Sequence, residues 1–181
     1  MAFNLADLLE QVVDAMPDRR ALTCGARNLT FAELDARANR LAHHLASNGI
    51  GPGDHVALMI YNSTEYLEGM FAAFKLRAVP VNVNYRYVAD ELRYLLEDSD
   101  SRAIVFDPEF ESRLAAIAPE LPQLDHYVRV GSPADDGARA PDVVEYEAAL
   151  GAADPGRGFA QRSGDDDYII YTGGTTGRPK G

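Results

Sequence analysis

The residues Tyr171-Thr172-Gly173-Gly174-Thr175-Thr176-Gly177-Arg178-Pro179-Lys180-Gly181 carry the most legible chemistry of this chain. Glycines accept positive φ, which lets successive backbone N–H groups converge on one concavity. Thr172, Thr175 and Thr176 add hydroxyl donors, and Lys180 adds a full positive charge. Pro179 biases Arg178 toward an extended conformation and stiffens the exit. Fed by the apolar run Tyr168-Ile169-Ile170-Tyr171, a loop of this composition suits a polyphosphate.

The common phosphate loop, G-x-x-x-x-G-K-[ST], does not fit. Lys180 follows Pro179 where that loop wants glycine, and Gly181 stands where its metal-binding hydroxyl belongs. Here the run instead resembles the signature of the adenylate-forming (AMP-binding) enzymes, which include acyl-CoA synthetases, luciferases and peptide-synthetase adenylation domains. That signature, Tyr-Thr-Ser/Gly-Gly-Thr/Ser-Thr-Gly-x-Pro-Lys-Gly, is matched at every defined position from Tyr171 to Gly181. Leu29-Thr30-Phe31-Ala32-Glu33-Leu34, Asn39-Arg40-Leu41-Ala42 and Gly51-Pro52-Gly53-Asp54-His55-Val56-Ala57 also look like the opening of that family. The stretch from Phe74 to Tyr87, with Ala78-Val79-Pro80-Val81-Asn82 at its centre, is most similar to the fatty-acyl-CoA synthetase branch. Arg77 departs from the family, which mostly has glycine there. Between Gly131 and Arg162 the resemblance is weakest.

The resemblance implies a chain whose residues 1–181 form the front part of the AMP-binding N-terminal domain, ending just after the phosphate-binding loop 171–181. It implies an incomplete N-terminal part of the large domain of an acyl-CoA synthetase-like fold. The implied reaction joins a carboxylic acid, a fatty acid in that branch, to ATP and then passes the acyl group from its adenylate to coenzyme A. ATP with Mg²⁺ and coenzyme A are thus the implied cosubstrates. Thr172, Gly173, Gly174, Thr175, Thr176, Gly177 and Lys180 would hold the β- and γ-phosphates, where preorganised donors stabilise the charge that builds on pyrophosphate. None of these is a nucleophile or a general base, so no catalytic residue and no metal ligand is assigned. The chain alone is expected to be catalytically incomplete, and to self-associate or to be completed by a C-terminal chain. A non-enzymatic remnant or interaction module of the same family is the other reading.

Elements must place that loop. Asn4 reads as the cap of a helix carrying Leu5, Leu8, Leu9, Val12, Val13 and Met16, and Thr30 with Glu33 as a capping box opening a second helix lined by Leu34, Ala38, Leu41 and Leu45. His55–Tyr61 has the length and apolarity of a buried strand. A third helix is expected over about 64–76 with Leu67, Met70, Phe71 and Phe74 on one face. Strands are expected at 79–83, 103–106 and 127–130. Helices are expected with Val88, Leu92, Leu95 and Leu96 lining one and Leu114, Ile117 and Leu121 another, with a short one over 142–150. The chain from Gly131 to Pro141 reads as an exposed loop, and that from Gly151 to Asp167 as a polar connector. Alternating helix and strand argue an α/β fold, a mostly parallel sheet with helices on both faces.

At 181 residues the chain is long enough for one domain. The net charge of −11 argues against nucleic acid and anionic membrane surfaces as partners. No apolar run approaches the ~20 residues of a membrane span. Cys24 is the single cysteine, which excludes an internal disulfide and fits a cytosolic, reducing compartment. His43, His44, His55 and His126 show no metal-ligand spacing. Asp165-Asp166-Asp167 reads as a solvated turn rather than a magnesium cluster, and Tyr85-Arg86-Tyr87 as surface packing rather than a base-stacking patch.

Overall fold

The computed structural model describes residues 4–134 and 137–171. Helix α1 (Leu5–Ala15) starts where the Asn4 side chain accepts the Ala6 N–H at 2.7 Å and the Asp7 carboxylate accepts the Asn4 N–H at 3.1 Å. An antiparallel hairpin follows, β1 (Arg20–Cys24) and β2 (Arg27–Thr30), turning through Gly25 at φ 58°. Helix α2 (Phe31–Ser47) opens on the reciprocal Thr30–Glu33 cap. The chain then alternates through β3 (His55–Met59), α3 (Thr64–Leu76), β4 (Val79–Asn82), α4 (Ala89–Asp98), β5 (Ser101–Phe106), α5 (Glu111–Ile117) and β6 (His126–Arg129). It closes with β7 (Val144–Glu145), α6 (Tyr146–Gly151) and β8 (Ile169–Ile170).

Strands β3 to β8 form one parallel sheet in the order β7-β6-β5-β3-β4-β8. Successive strand side chains point to opposite faces, and both faces are covered. Ala57, Met59, Val81, Ile104, Phe106 and Tyr127 pack against Leu92, Leu95 and Leu96 of α4 and Leu114 and Ile117 of α5. On the other face, Val56, Leu58, Ala103, Val105 and Val128 meet Leu41 and Leu45 of α2, Ala72 and Ala73 of α3 and Tyr146 of α6. Burial on both faces is why these strands read as continuous apolar runs.

Three expectations are corrected in detail. On α1 the buried residues are Ala6, Leu9 and Val13, while Leu5 and Leu8 stand exposed. On α3 Phe74 is buried as expected, but Leu67, Met70 and Phe71 are only half-buried, and Glu68 and Lys75 lie inside without solvent exposure. Ion pairing reverses the expected face: Lys75 reaches Glu10 at 2.6 Å and Asp35 at 2.7 Å, and Glu68 meets Arg37 at 2.9 Å. Finally, Val144 and Glu145 do not begin a helix but pair with Val128 and Arg129 of β6.

Arg77, at the C-terminus of α3, adopts φ 60° and ψ 21°, the left-handed conformation that glycine usually supplies at a helix end. The turn is therefore made without a glycine. From Ala152 to Tyr168 the chain has no helix or strand, and polar contacts hold it. Asn39 donates to Pro155 O at 2.7 Å, Arg157 pairs with Asp35 and Asp14 at 2.8 Å each, and Arg162 pairs with Asp7 at 2.7 Å and Glu10 at 2.5 Å. This connector lies across α1 and α2 and delivers β8 to the sheet.

Candidate functional site

From β3 the chain crosses to β4, and from β5 it crosses to β6, on opposite sides of the β3–β5 pair. Connections that diverge this way open a crevice at the carboxyl ends of the strands, where open α/β sheets bind ligands. Asp107 spans that crevice. Its carboxylate accepts the Tyr61 N–H at 2.7 Å, and its own N–H donates to Met59 O at 3.1 Å. Burial pushes the Asp107 carboxyl above the ordinary carboxylate range, although the Tyr61 N–H opposes this.

Aromatic and cationic groups rim the crevice. The Tyr61 ring lies 4.7 Å from Tyr85 and 5.4 Å from Phe110, and its hydroxyl donates to Glu109. The Arg86 guanidinium sits 5.5 Å over Tyr85, and that of Arg113 sits 5.6 Å over Phe110. Arg113 also donates to Tyr85 O at 3.2 Å, which fixes the turn after β4. Tyr85 and Arg86 are exposed, whereas Tyr87 is buried in the core, so the surface packing expected of the three residues holds for Tyr85 and Arg86 and not for Tyr87. Exposed aromatic faces beside guanidinium groups can stack a planar base or carry its phosphates.

Two strands away from that crevice, β8 pairs with β4 through Val81–Ile169 and Asn82–Ile170. Tyr171 follows at the carboxyl edge and packs against the α4–α5 face, its hydroxyl donating to Asp98 at 2.7 Å. Burial and that contact raise the tyrosine hydroxyl's pKa above its usual value. The phosphate-binding candidates Thr172, Gly173, Gly174, Thr175, Thr176, Gly177 and Lys180 lie outside the described residues.

Elsewhere, the structure joins what the sequence kept apart. His44 on α2 and His126 on β6 meet with Nε2 atoms 3.0 Å apart. Burial holds the His44 imidazole low, and burial together with His44 holds His126 at about 4. Among the described residues no group of three or more His, Cys, Asp or Glu side chains could hold a metal ion. No step is assigned to a magnesium ion. Asp166 is not solvated as expected, since its side chain is 6% exposed. No helix of the described residues is long and apolar enough to cross a membrane. Tyr61, Asp107 and Arg113 were missed by sequence reasoning. The Asp107-Pro108 pair closing an apolar strand was the available signal for the crevice, because Pro ends a strand.

A family model described as AMP-binding enzyme matches residues 9–181. The chain belongs to the AMP-binding enzyme family. Relatives of this AMP-binding chain include the 3-oxocholest-4-en-26-oate–CoA ligase of Rhodococcus rhodochrous, 46% identical over 181 residues, which are all of this chain and 33% of the ligase. The medium/long-chain-fatty-acid–CoA/3-oxocholest-4-en-26-oate–CoA ligase of Mycobacterium marinum is 44% identical, over 100% of this chain and 34% of its own. Among solved structures, the anthranilate CoA ligase AuaEII bound to anthranoyl-AMP superposes with a TM-score of 0.88 at 27% identity, covering 98% of this chain and 34% of that one. The inhibitor-bound N-terminal domain of FACL13 from Mycobacterium tuberculosis gives a TM-score of 0.81 at 31% identity, over 99% of this chain and 43% of that one. The AMP-binding chain thus spans about a third of the length of the curated relatives it matches.

Proposed function

We propose that this AMP-binding chain contributes the pyrophosphate-gripping part of an ATP-dependent acyl-CoA ligase. One observation carries the reading: β8, held in a parallel sheet, leads directly into the eleven residues 171–181 that match the family signature. In it Thr172, Gly173, Gly174, Thr175, Thr176, Gly177 and Lys180 hold the β- and γ-phosphates of ATP while a carboxylate attacks the α-phosphorus and pyrophosphate leaves. Their share of catalysis is electrostatic, donors and one cation aimed at oxygens whose negative charge grows as the bond breaks. The acyl group then passes from the adenylate to the thiol of coenzyme A.

Residues 1–181 act as the front part of the ligase's AMP-binding domain, and the acid pocket and remaining contacts come from the two-thirds of the ligase length that these residues do not span. Among the described residues β8 is the last strand of its edge, and Leu5, Leu8, Leu67, Met70 and Phe71 line an open apolar groove between α1 and α3. Such surfaces support completion by further ligase polypeptide, or self-association in its absence. The Tyr61–Tyr85–Arg86 rim is available to the adenine of either cosubstrate.

Because the relatives are named for fatty and steroid side-chain acids, the substrate is an acid with a large apolar body. Acid-dependent exchange of labelled pyrophosphate into ATP tests the reading, with fatty, cholestenoic and amino acids compared. Exchange driven by the first two is expected. Exchange driven best by an amino acid would overturn the assignment to acyl-CoA ligases.

A further inference from the structure

We propose that Arg77 and Asp166 are positioning residues whose ion pair pins β8 to the start of β4, and thereby fixes where the chain leaves the sheet at Tyr171, the first residue of the signature segment. The importance of that segment rests on the function proposed above.

Pairing between β8 and β4 extends over only two residues, Ile169 with Val81 and Ile170 with Asn82. Parallel ladders so short carry few hydrogen bonds and specify register weakly. Arg77 Nε donates to Asp166 Oδ1 at 2.9 Å. Along the chain Arg77 lies four residues before Val81, and Asp166 lies three before Ile169, so the pair closes the ladder just ahead of its first rung. The other carboxylate oxygen, Oδ2, accepts from Asn4 Nδ2 at 2.8 Å and from the Ser163 N–H at 3.0 Å. Asp166 therefore ties together the α1 cap, the connector, the end of α3 and the entry to β8. Three hydrogen bonds and a cation hold its carboxyl below the usual range in spite of burial.

Backbone geometry supplies an independent sign. Arg77 occupies a left-handed conformation that disfavours any side chain. Glycine would relieve that strain at once, yet it would remove the guanidinium that Asp166 requires. The arginine keeps the strained turn and adds the pin.

Amide hydrogen exchange on the full chain tests this with Arg77→Gly, Asp166→Asn and Arg77→Lys. Bonds to charged groups typically contribute about 1.5–3 kcal/mol, so the Ile169, Ile170 and Tyr171 amides are expected to exchange about ten- to a hundredfold faster in the first two variants. Protection of β3 and β5 is expected to stay unchanged, and Arg77→Lys to recover part of the loss at β8. Unchanged exchange at Ile169–Tyr171, or equal acceleration in β3 and β5, would overturn the proposal. Glycine at 77 serves as the control for folding, because it suits the backbone there. Acid-dependent pyrophosphate exchange by the native polypeptide that carries residues 1–181 is scored separately: its absence counts against the ligase reading, while the amide exchange rates at β8 still judge the pin.

Discussion

Lys75 Nζ lies 2.7 Å from Asp35 Oδ1 in the interior, with no exposure of the lysine side chain and 7% of the aspartate's. Glu10 completes the lysine's partners at 2.6 Å, and Arg157 approaches the second oxygen of Asp35 at 2.8 Å. Burial opposes ionisation of Asp35, but Lys75 and Arg157 overcome it and hold the carboxyl low. Helices α1, α2 and α3 and the connector are thus joined by charge where apolar packing was expected. Removing one member of a buried pair typically costs about 3–5 kcal/mol, because the other is left uncompensated. Lys75→Ala is expected to lower the urea midpoint accordingly, and Lys75→Met combined with Asp35→Leu to recover much of it. Equal loss in the single and double variants would contradict the pairing.

A second buried polar contact joins Tyr146 to Glu68, the phenol donating to Oε2 at 2.7 Å while Arg37 holds Oε1 at 2.9 Å. Tyr146→Phe removes that donor and no packing volume to speak of. Bonds to charged groups place the expected loss at about 1.5–3 kcal/mol, read from denaturant unfolding. A loss below about 0.5 kcal/mol would mean that Arg37 alone satisfies Glu68.

The imidazoles of His44 and His126 set the pH dependence. Both are held below the ordinary value of 6.5, His126 at about 4. The unfolded chain therefore binds protons more readily as pH falls through 6.5, and stability drops until His126 also protonates in the folded chain near 4. For His126 the shift corresponds to about 3 kcal/mol. Carboxyls held low by the fold, such as Asp35 and Asp166, lose their contribution only below their unfolded values of 3.8, so the upper window belongs to the histidines. Asp107, held high, acts in the opposite sense and blunts the fall near its lower end. Unfolding of wild type and His126→Gln at pH 7.5 and pH 5 is expected to show a flatter dependence in the variant. Identical slopes would remove the pair from the explanation.

Local chemistry was legible in the sequence wherever neighbours decide it. Asn4 and Thr30 cap their helices because the partners stand two or three residues away, and continuous apolar runs mark β3 and β5 because both sheet faces are covered. The arrangement of α3 was not legible, since Glu68 and Lys75 look like solvent-facing charges until Arg37 and Asp35, 31 and 40 residues away, are brought to them. His44 and His126, 82 residues apart, escaped for the same reason. The strand β7 was hidden because only two residues pair, and the helix after it dominates the local pattern. At the crevice, Asp107 and Tyr61 come from different strand ends and share no local signature.

Pyrophosphate exchange by the native polypeptide that carries residues 1–181, compared with its Lys180→Ala variant, tests the central claim most directly. The wild type is expected to exchange label only when a fatty or steroid side-chain acid is present. Loss of one charge-assisted contact predicts a rate about ten- to a hundredfold lower in the variant. An unchanged rate in Lys180→Ala would contradict the assignment of the 171–181 segment to the leaving pyrophosphate.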